Sequence, residues 1–255
     1  MFAARGGFLY QQPSAPPGGF GNNLLFPNDP TQYIYLNSND DLITWKSTTG
    51  YTIEYWVYMT SWPGSINPGP GNQDGGGTNY WSFGPGDIGQ LEFYYWAPGQ
   101  SYFTTALNVM NLNTWYNIAA VFTTSGSDTT ASLYINGVRQ QIQLNGDGIF
   151  QDTITVNNGV VSSGTVFGMG RYGFGATKWN GFIDNLRVSN VNRYSGASYT
   201  LATGPFTYDS NTQILIEPTG TVGSSTIAYQ SASGNGNMTN ASNIVTIVNS
   251  HANHT

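Results

Sequence analysis

Residues 131–140 read "ASLYINGVRQ", and the reading of this decapeptide decides the fold class. Leu133, Tyr134 and Ile135 are strand formers, and Asn136-Gly137 is a pair that tolerates positive φ at both central positions of a type I′ turn. Val138 and Arg139 then resume an extended chain, so the stretch predicts a tight antiparallel hairpin. The same grammar continues on both sides of it. "YTIEYWVYM" (51–59) predicts a central strand, because its alternating faces, Ile53/Tyr55/Val57/Met59 and Glu54/Trp56/Tyr58, are both largely apolar. "LEFYYW" (91–96), "SYFTTALNV" (101–109), "WYNIAAVFTT" (115–124), "GTVFGMGRYGF" (164–174), "WNGFIDNLRVS" (179–189) and "TQILIEP" (212–218) add further short strands. Residues 61–90 read as a long Gly/Pro loop, of the kind that usually carries recognition. About a dozen short strands at this spacing predict an all-β, two-sheet antiparallel jelly-roll sandwich.

Composition agrees. Of 255 residues, 33 are Gly, 17 Tyr, 13 Phe and 7 Trp, and charged residues make up only 8%, which leaves little helix-forming material. The seven cations are scattered and the net charge is −6, so nucleic acid is not an expected partner. Without Cys the chain has no disulfide framework and no thiolate metal site. No stretch reaches the roughly 18–20 apolar residues of a membrane span. The opening "MFAARGGFLYQQPSAPPGGF" (1–20) has no apolar run of signal-peptide length. With a composition rich in Asn, Thr, Ser and Gly, this suggests a protein released by lysis or carried on a virus particle. Three segments are expected: a Pro/Gly arm (1–22), the jelly-roll domain (23–218), and a polar Gly/Ser/Asn-rich extension (219–255) with weak strands "TIAYQ" and "NIVTIVNS".

Four segments resemble, in order, the laminin-G-like members of the concanavalin A-like jelly-roll superfamily. "YTIEYWVYM" is similar to that family's Φ-T-Φ-E-Φ-W-V strand, and "LNTWYNIAAVF" to its N-x-W-Y-x-Φ-A strand. "ASLYINGVRQ" is similar to its L-Y-Φ-N-G-V hairpin, and "WNGFIDNLRVSN" to its G-x-I-D-x-L-R-Φ strand. Further on, "NRYSGASYTLATGPFTYDSNTQILI" (192–216) is similar to the tail that follows this domain in many bacteriophage and virus proteins. "GSSTIAYQSASGNGNMTN" (223–240) is similar to the connector between tandem copies there. Members of the family that bind calcium do so at one rim of the sandwich. Here the rim acids Asp74, Asp87, Asp147 and Asp152 have no spacing that specifies a cation, so no cofactor is expected and calcium stays open.

Glycoside hydrolases share the sandwich, and their chemistry needs two carboxylates facing each other across a sugar. Glu54 has no acidic partner two or four residues away, Glu92 stands alone in its strand, and Glu217 precedes a Pro. No catalytic residue is expected. Asp184, in "GFIDNLRVSN", would lie by simple alternation beside Phe182, Leu186 and Val188. A buried carboxylate must be paired or hydrogen-bonded. It is read as a structural carboxylate, capping backbone N–H groups or pairing with Arg187 or Arg193, against the alternative of a ligand or acid. Trp62, Tyr80, Trp81, Trp96, Tyr102 and Trp179 lie in or beside loops and are the candidate contacts for a glycan or a protein partner, while Trp56 and Trp115 belong to the core. Sequons at Asn237, Asn240 and Asn253, and the pair His251/His254, fall in the polar tail.

The expected function is a non-enzymatic structural or adhesive surface protein, a virion component whose arm and tail mediate self-association and whose aromatics meet glycans. The alternatives are a monomeric secreted or cell-surface carbohydrate-binding module and an atypical glycoside hydrolase. Either of the first two places the protein in a virion or outside the cell.

Overall fold

A computed structural model of the chain describes residues 22–29, 32–36, 50–64, 68–72, 80–96, 100–157, 167–170, 178–231, 234–240 and 245–249. Among these residues the chain forms eighteen strands and one short 3-10 turn, Asp87–Gly89. The strands are β1 (Asn22–Pro27), β2 (Ile34–Tyr35), β3 (Tyr51–Met59), β4 (Gly71–Asn72), β5 (Tyr80–Pro85) and β6 (Leu91–Trp96). Then come β7 (Gln100–Thr105), β8 (Trp115–Ser125), β9 (Asp128–Ile135), β10 (Val138–Arg139), β11 (Ile142–Leu144) and β12 (Ile154–Asn157). The last six are β13 (Phe167–Met169), β14 (Asn180–Ser189), β15 (Thr212–Ile216), β16 (Ile227–Ser231), β17 (Gly234–Asn240) and β18 (Thr246–Asn249).

Every ladder is antiparallel. In the first sheet β9 carries β10 and β12 on one side, and β8, β3 and β14 follow on the other. The far edge of β14 is shared by β1 and β15, with β18 beyond β1 and β16 beyond β15. The second sheet runs β11, β7, β6, β5, β4, β13, β2. β17 pairs with β16 of the first sheet and with β2 of the second, and so turns a corner between them.

Alternation puts Ile53, Tyr55, Val57 and Met59 of β3 against Trp81, Phe83, Phe93, Tyr95 and Phe103 of the second sheet, in one continuous core. Phe93 and Phe122 bridge the layers with ring centroids 4.6 Å apart, and the Tyr55 hydroxyl donates to the Phe83 carbonyl at 2.7 Å. The chain is therefore an all-β jelly-roll sandwich. The Asn136-Gly137 turn has φ of 50° and 76°, as a type I′ hairpin requires, and Val138 pairs with Ile135.

Three expectations change. The 61–90 stretch is not all loop: β4 and β5 lie in it, and β5 is an interior strand of the second sheet. Its alternating Tyr80-Trp81-Ser82-Phe83 is short and framed by Gly and Pro, which hid it. The polar tail is not a free extension, since β16, β17 and β18 pair into the sheets and Ile227, Val245 and Ile247 are buried in the core. The arm lies outside the described residues except for Asn22.

The third concerns Asp184. Asp184 stands opposite Trp56 on β3 but Arg187 stands opposite Glu54, so three steps on β14 match two on β3. Asn185, with φ of 48°, is the extra residue of a β-bulge. The bulge resets the alternation. Ile183, Leu186 and Val188 enter the core between the sheets, whereas Phe182 packs on the outer face of the first sheet with Trp56 and Trp115. Asp184 shares that outer face with Phe182 and does not line up with Leu186 and Val188.

Candidate functional site

The outer face of the first sheet is closed by its own chain. Arg187 sends its Nε and Nη2 to Glu54 Oε1 at 2.9 and 2.7 Å, and the Tyr194 hydroxyl donates to Glu54 Oε2 at 2.6 Å. Glu54 has no exposed surface, and Phe206 covers the guanidinium from 4.3 Å. Tyr194 stacks on Tyr199 at 3.7 Å, and the Tyr199 hydroxyl donates to Asn117 Oδ1. Burial first, and then the Glu54 carboxylate, pushes both phenols well above their ordinary range, so both stay protonated donors.

The covering segment is pinned at both ends. The Arg193 backbone N–H donates to Thr52, and its guanidinium makes two bonds to Asp209, at 2.8 and 3.0 Å. Arg193, with help from the Thr212 hydroxyl and the Asn211 N–H, holds the Asp209 carboxyl well below the usual carboxylate range. Residues 192–212 therefore form a strap over the first sheet, and Glu54 is held inside it as a structural ion pair.

Asp184 lies on the same face, 1% exposed, and accepts from Asn185 Nδ2 at 2.8 Å. The two arginines proposed for it are engaged elsewhere, Arg187 with Glu54 and Arg193 with Asp209. The rim acids do not converge either. Asp147 accepts the Ile149 N–H in its own turn, Asp152 lies 3.6 Å from Arg139, Asp87 opens the 3-10 turn, and Asp74 is outside the described residues. Among the described residues no group of three acids or histidines could hold a metal ion.

The outer face of the second sheet is different in character. Its cross-strand register builds one row from Gly71, Ser82, Tyr94 and Tyr102, and the next from Gly84, Glu92, Thr104 and Gln143. All point away from the core because Trp81, Phe83, Leu91, Phe93 and Phe103 between them point into it. Tyr94 and Tyr102 present nearly parallel rings, 7° apart in tilt with centroids separated by 6.5 Å. Gln143 Nε2 donates to Thr104 Oγ1 at 3.3 Å, and Gln143 Oε1 accepts the Gly148 N–H. Asn145 Oδ1 accepts the Tyr102 N–H at 2.9 Å and anchors the adjoining turn. Ser82, Glu92, Tyr94 and Thr104 are buried, while Tyr102 and Gln143 at the margin are half-buried. This margin lies beside the exposed 145–150 loop.

Of the six aromatic candidates, Tyr102 is in the first row, and Tyr80 and Trp96 stand opposite each other in the β5–β6 register. Trp81 and Trp179 are a correction: both are fully buried, Trp81 stacked on Phe93 and Trp179 against Tyr55 and Phe26, and neither presents a surface. Trp62 is half-buried, packed against the core and beside Gly89. Ser82, Tyr94, Thr104 and Gln143 were missed because linear sequence does not show which strands become neighbours. The outward parity of "LEFYYW" held the one usable signal, Glu92, Tyr94 and Trp96 on one side.

This geometry can be set beside known proteins. The laminin-G family model described as the concanavalin A-like lectin/glucanases superfamily matches residues 28–195. Among curated proteins none matches the chain in sequence. Among solved structures, a candidate carbohydrate-binding protein of Bacteroides ovatus ATCC 8483 superposes with a TM-score of 0.56 at 17% identity over 90% of this chain; the match covers 59% of that protein. A SAP-like pentraxin of Limulus polyphemus gives 0.44 at 17% identity, covering 68% of this chain and 78% of that one. The CBM40 of the Ruminococcus gnavus IT-sialidase, bound to α2,3-sialyllactose, gives 0.43 at 12% identity, covering 57% and 78%. Such low identity speaks to fold alone. The hairpin, the two layers and the family match agree, and the chain belongs to the concanavalin A-like lectin/glucanases superfamily.

Proposed function

We propose that this chain is a non-catalytic carbohydrate-binding module, and that its glycan site is the outer face of the second sheet around Tyr94 and Tyr102. The observation that carries the reading is the two-row surface itself. At its half-buried margin Tyr102, stacked beside Tyr94, offers an apolar plate to the C–H face of a sugar, and Gln143 offers an amide partner beside it. The carbohydrate-binding description of the Bacteroides ovatus structure supports the same reading.

Hydrolysis is disfavoured by the same rows. Glycosidic cleavage uses two carboxylates flanking the bond. Glu92 is the one acid in the described rows, opposed by Gly84 and Thr104, and Glu54 sits on the other sheet beneath the strap in its pair with Arg187. The module therefore holds a glycan without turning it over, which suits adhesion at an extracellular or particle surface.

The test is a glycan array followed by calorimetry on the full chain. Binding that is lost on Tyr102→Ala and weakened about tenfold on Gln143→Ala supports the site. Binding unaffected by both substitutions, or release of reducing sugar from the bound glycan, overturns it.

A further inference from the structure

We propose that the 145–150 turn is a wall of the glycan site and gives that site a preference for sugars carrying a methyl group, as an N-acetyl or a 6-deoxy substituent. This inference rests on the reading of the second sheet's margin as a glycan site.

The turn is built onto the two residues that the margin offers to a sugar, Tyr102 and Gln143. The Asn145 N–H donates to the Tyr102 carbonyl at 2.9 Å, and Asn145 Oδ1 accepts the Tyr102 N–H at the same distance. Gln143 Oε1 accepts the Gly148 N–H at 2.9 Å. A Cβ on Gly146 would stand 3.1 Å from the Tyr102 hydroxyl, so the turn lies directly against the phenol.

The turn is also tied to itself. The Asp147 N–H donates to the Leu144 carbonyl at 3.0 Å, and the Ile149 N–H donates to Asp147 Oδ1 at 2.8 Å. At its base Ile142 and Gln151 exchange both backbone bonds at 2.8 Å. Asn145 has φ of 53°, in the left-handed region that Asn enters more readily than other side chains. A turn held at this many points fixes its side chains before a ligand arrives and loses little freedom on binding.

What the turn holds out is apolar. Ile149 is 61% exposed and Phe150 39% exposed. Ile149 directly follows the glycine bound by Gln143, so it belongs to the segment that touches both site residues. Large apolar side chains displayed on an ordered loop mark a recognition surface. The groups of the margin suit different parts of a sugar. A flat ring such as Tyr102 covers the C–H face of a pyranose. A branched aliphatic side chain offers no plate, and it gains contact from an apolar group that projects from the ring, which on a sugar is a methyl. A hydroxyl set against Ile149 would give up water without a partner. Covering one methyl group favours binding by about fourfold.

The experiment uses calorimetry on the full chain with glycans paired so that the members differ at one substituent. Chitotetraose against cellotetraose tests the N-acetyl methyl, and an L-fucosyl glycan against the same glycan carrying L-galactose tests the 6-deoxy methyl. The expected result is a preference of about fourfold or more for the methyl-bearing member of at least one pair, which Ile149→Ser brings to within about twofold. Glycans that bind without any such preference overturn the inference and leave the glycan site in place. So does a preference that survives Ile149→Ser, or a substitution that weakens both members alike. No binding of any glycan in the panel overturns both. The wild-type comparison decides the matter by itself should the substitution disturb the fold.

Discussion

Glu54→Gln is the sharpest test of the strap, because it leaves the shape of the side chain and removes its charge. In the native protein Glu54 accepts two bonds from Arg187 and one from Tyr194, with side-chain exposures of 0% for Glu54 and 11% for Arg187. Removing one member of a buried ion pair leaves the other uncompensated and costs about 3–5 kcal/mol. Gln keeps one carbonyl acceptor, so the lower end applies, about 3 kcal/mol. At roughly 2–4 °C per kcal/mol for a chain of this size, the melting temperature should fall by about 6–12 °C. Urea unfolding followed by tryptophan fluorescence gives the same quantity from the midpoint shift at unchanged slope. Replacing both partners, Glu54→Leu with Arg187→Met, should cost less than either single change, since no buried charge remains. A Glu54→Gln protein within 1 kcal/mol of the parent, or a double variant whose cost equals the sum of the singles, would refute the reasoning.

Other consequences can be checked alongside. Tyr194→Phe removes one bond to a charged acceptor and should cost about 1.5–3 kcal/mol by the same unfolding assay. The Asp209 carboxyl is held below its ordinary range by Arg193, so its contribution is present above about pH 4 and is lost as pH falls through the depressed value. Melting scans from pH 7 to pH 2 should show that loss, and Asp209→Asn should flatten it; the effect is small because the Asp209 side chain is 40% exposed. Gly181 has φ of 153°, and a Cβ there would stand 1.9 Å from the Tyr58 carbonyl oxygen, so Gly181→Ala should break the β3–β14 register and abolish soluble expression. A chain ending at residue 222 loses the buried Ile227, Val245 and Ile247, each contributing about 1.5–3 kcal/mol. It should fail to fold cooperatively by calorimetry, and a truncation that melts like the parent would return the tail to the status of an appendage.

The sequence by itself determined the class of the fold and the absence of paired acids along any one strand. Both are local facts: period-two alternation, Asn-Gly at a turn, and an acid with no acidic neighbour at i+2 are visible in the order of residues. It also carried Glu54 and Arg187 as members of two motifs 133 positions apart, without joining them. The tertiary structure alone decided which aromatic side chains face outward. Trp81 and Trp179 look like loop residues and lie in the core because the opposing sheet covers their side of the strand, whereas Tyr94, inside an apolar strand, faces outward. One inserted residue at Asn185 reversed the parity of β14 and moved Asp184 away from Leu186 and Val188, an effect that exists only relative to the partner strand β3. Burial is a property of two surfaces in contact, and a linear pattern describes one of them. Which face the strap closes is therefore settled by the packing of segments far apart in the chain.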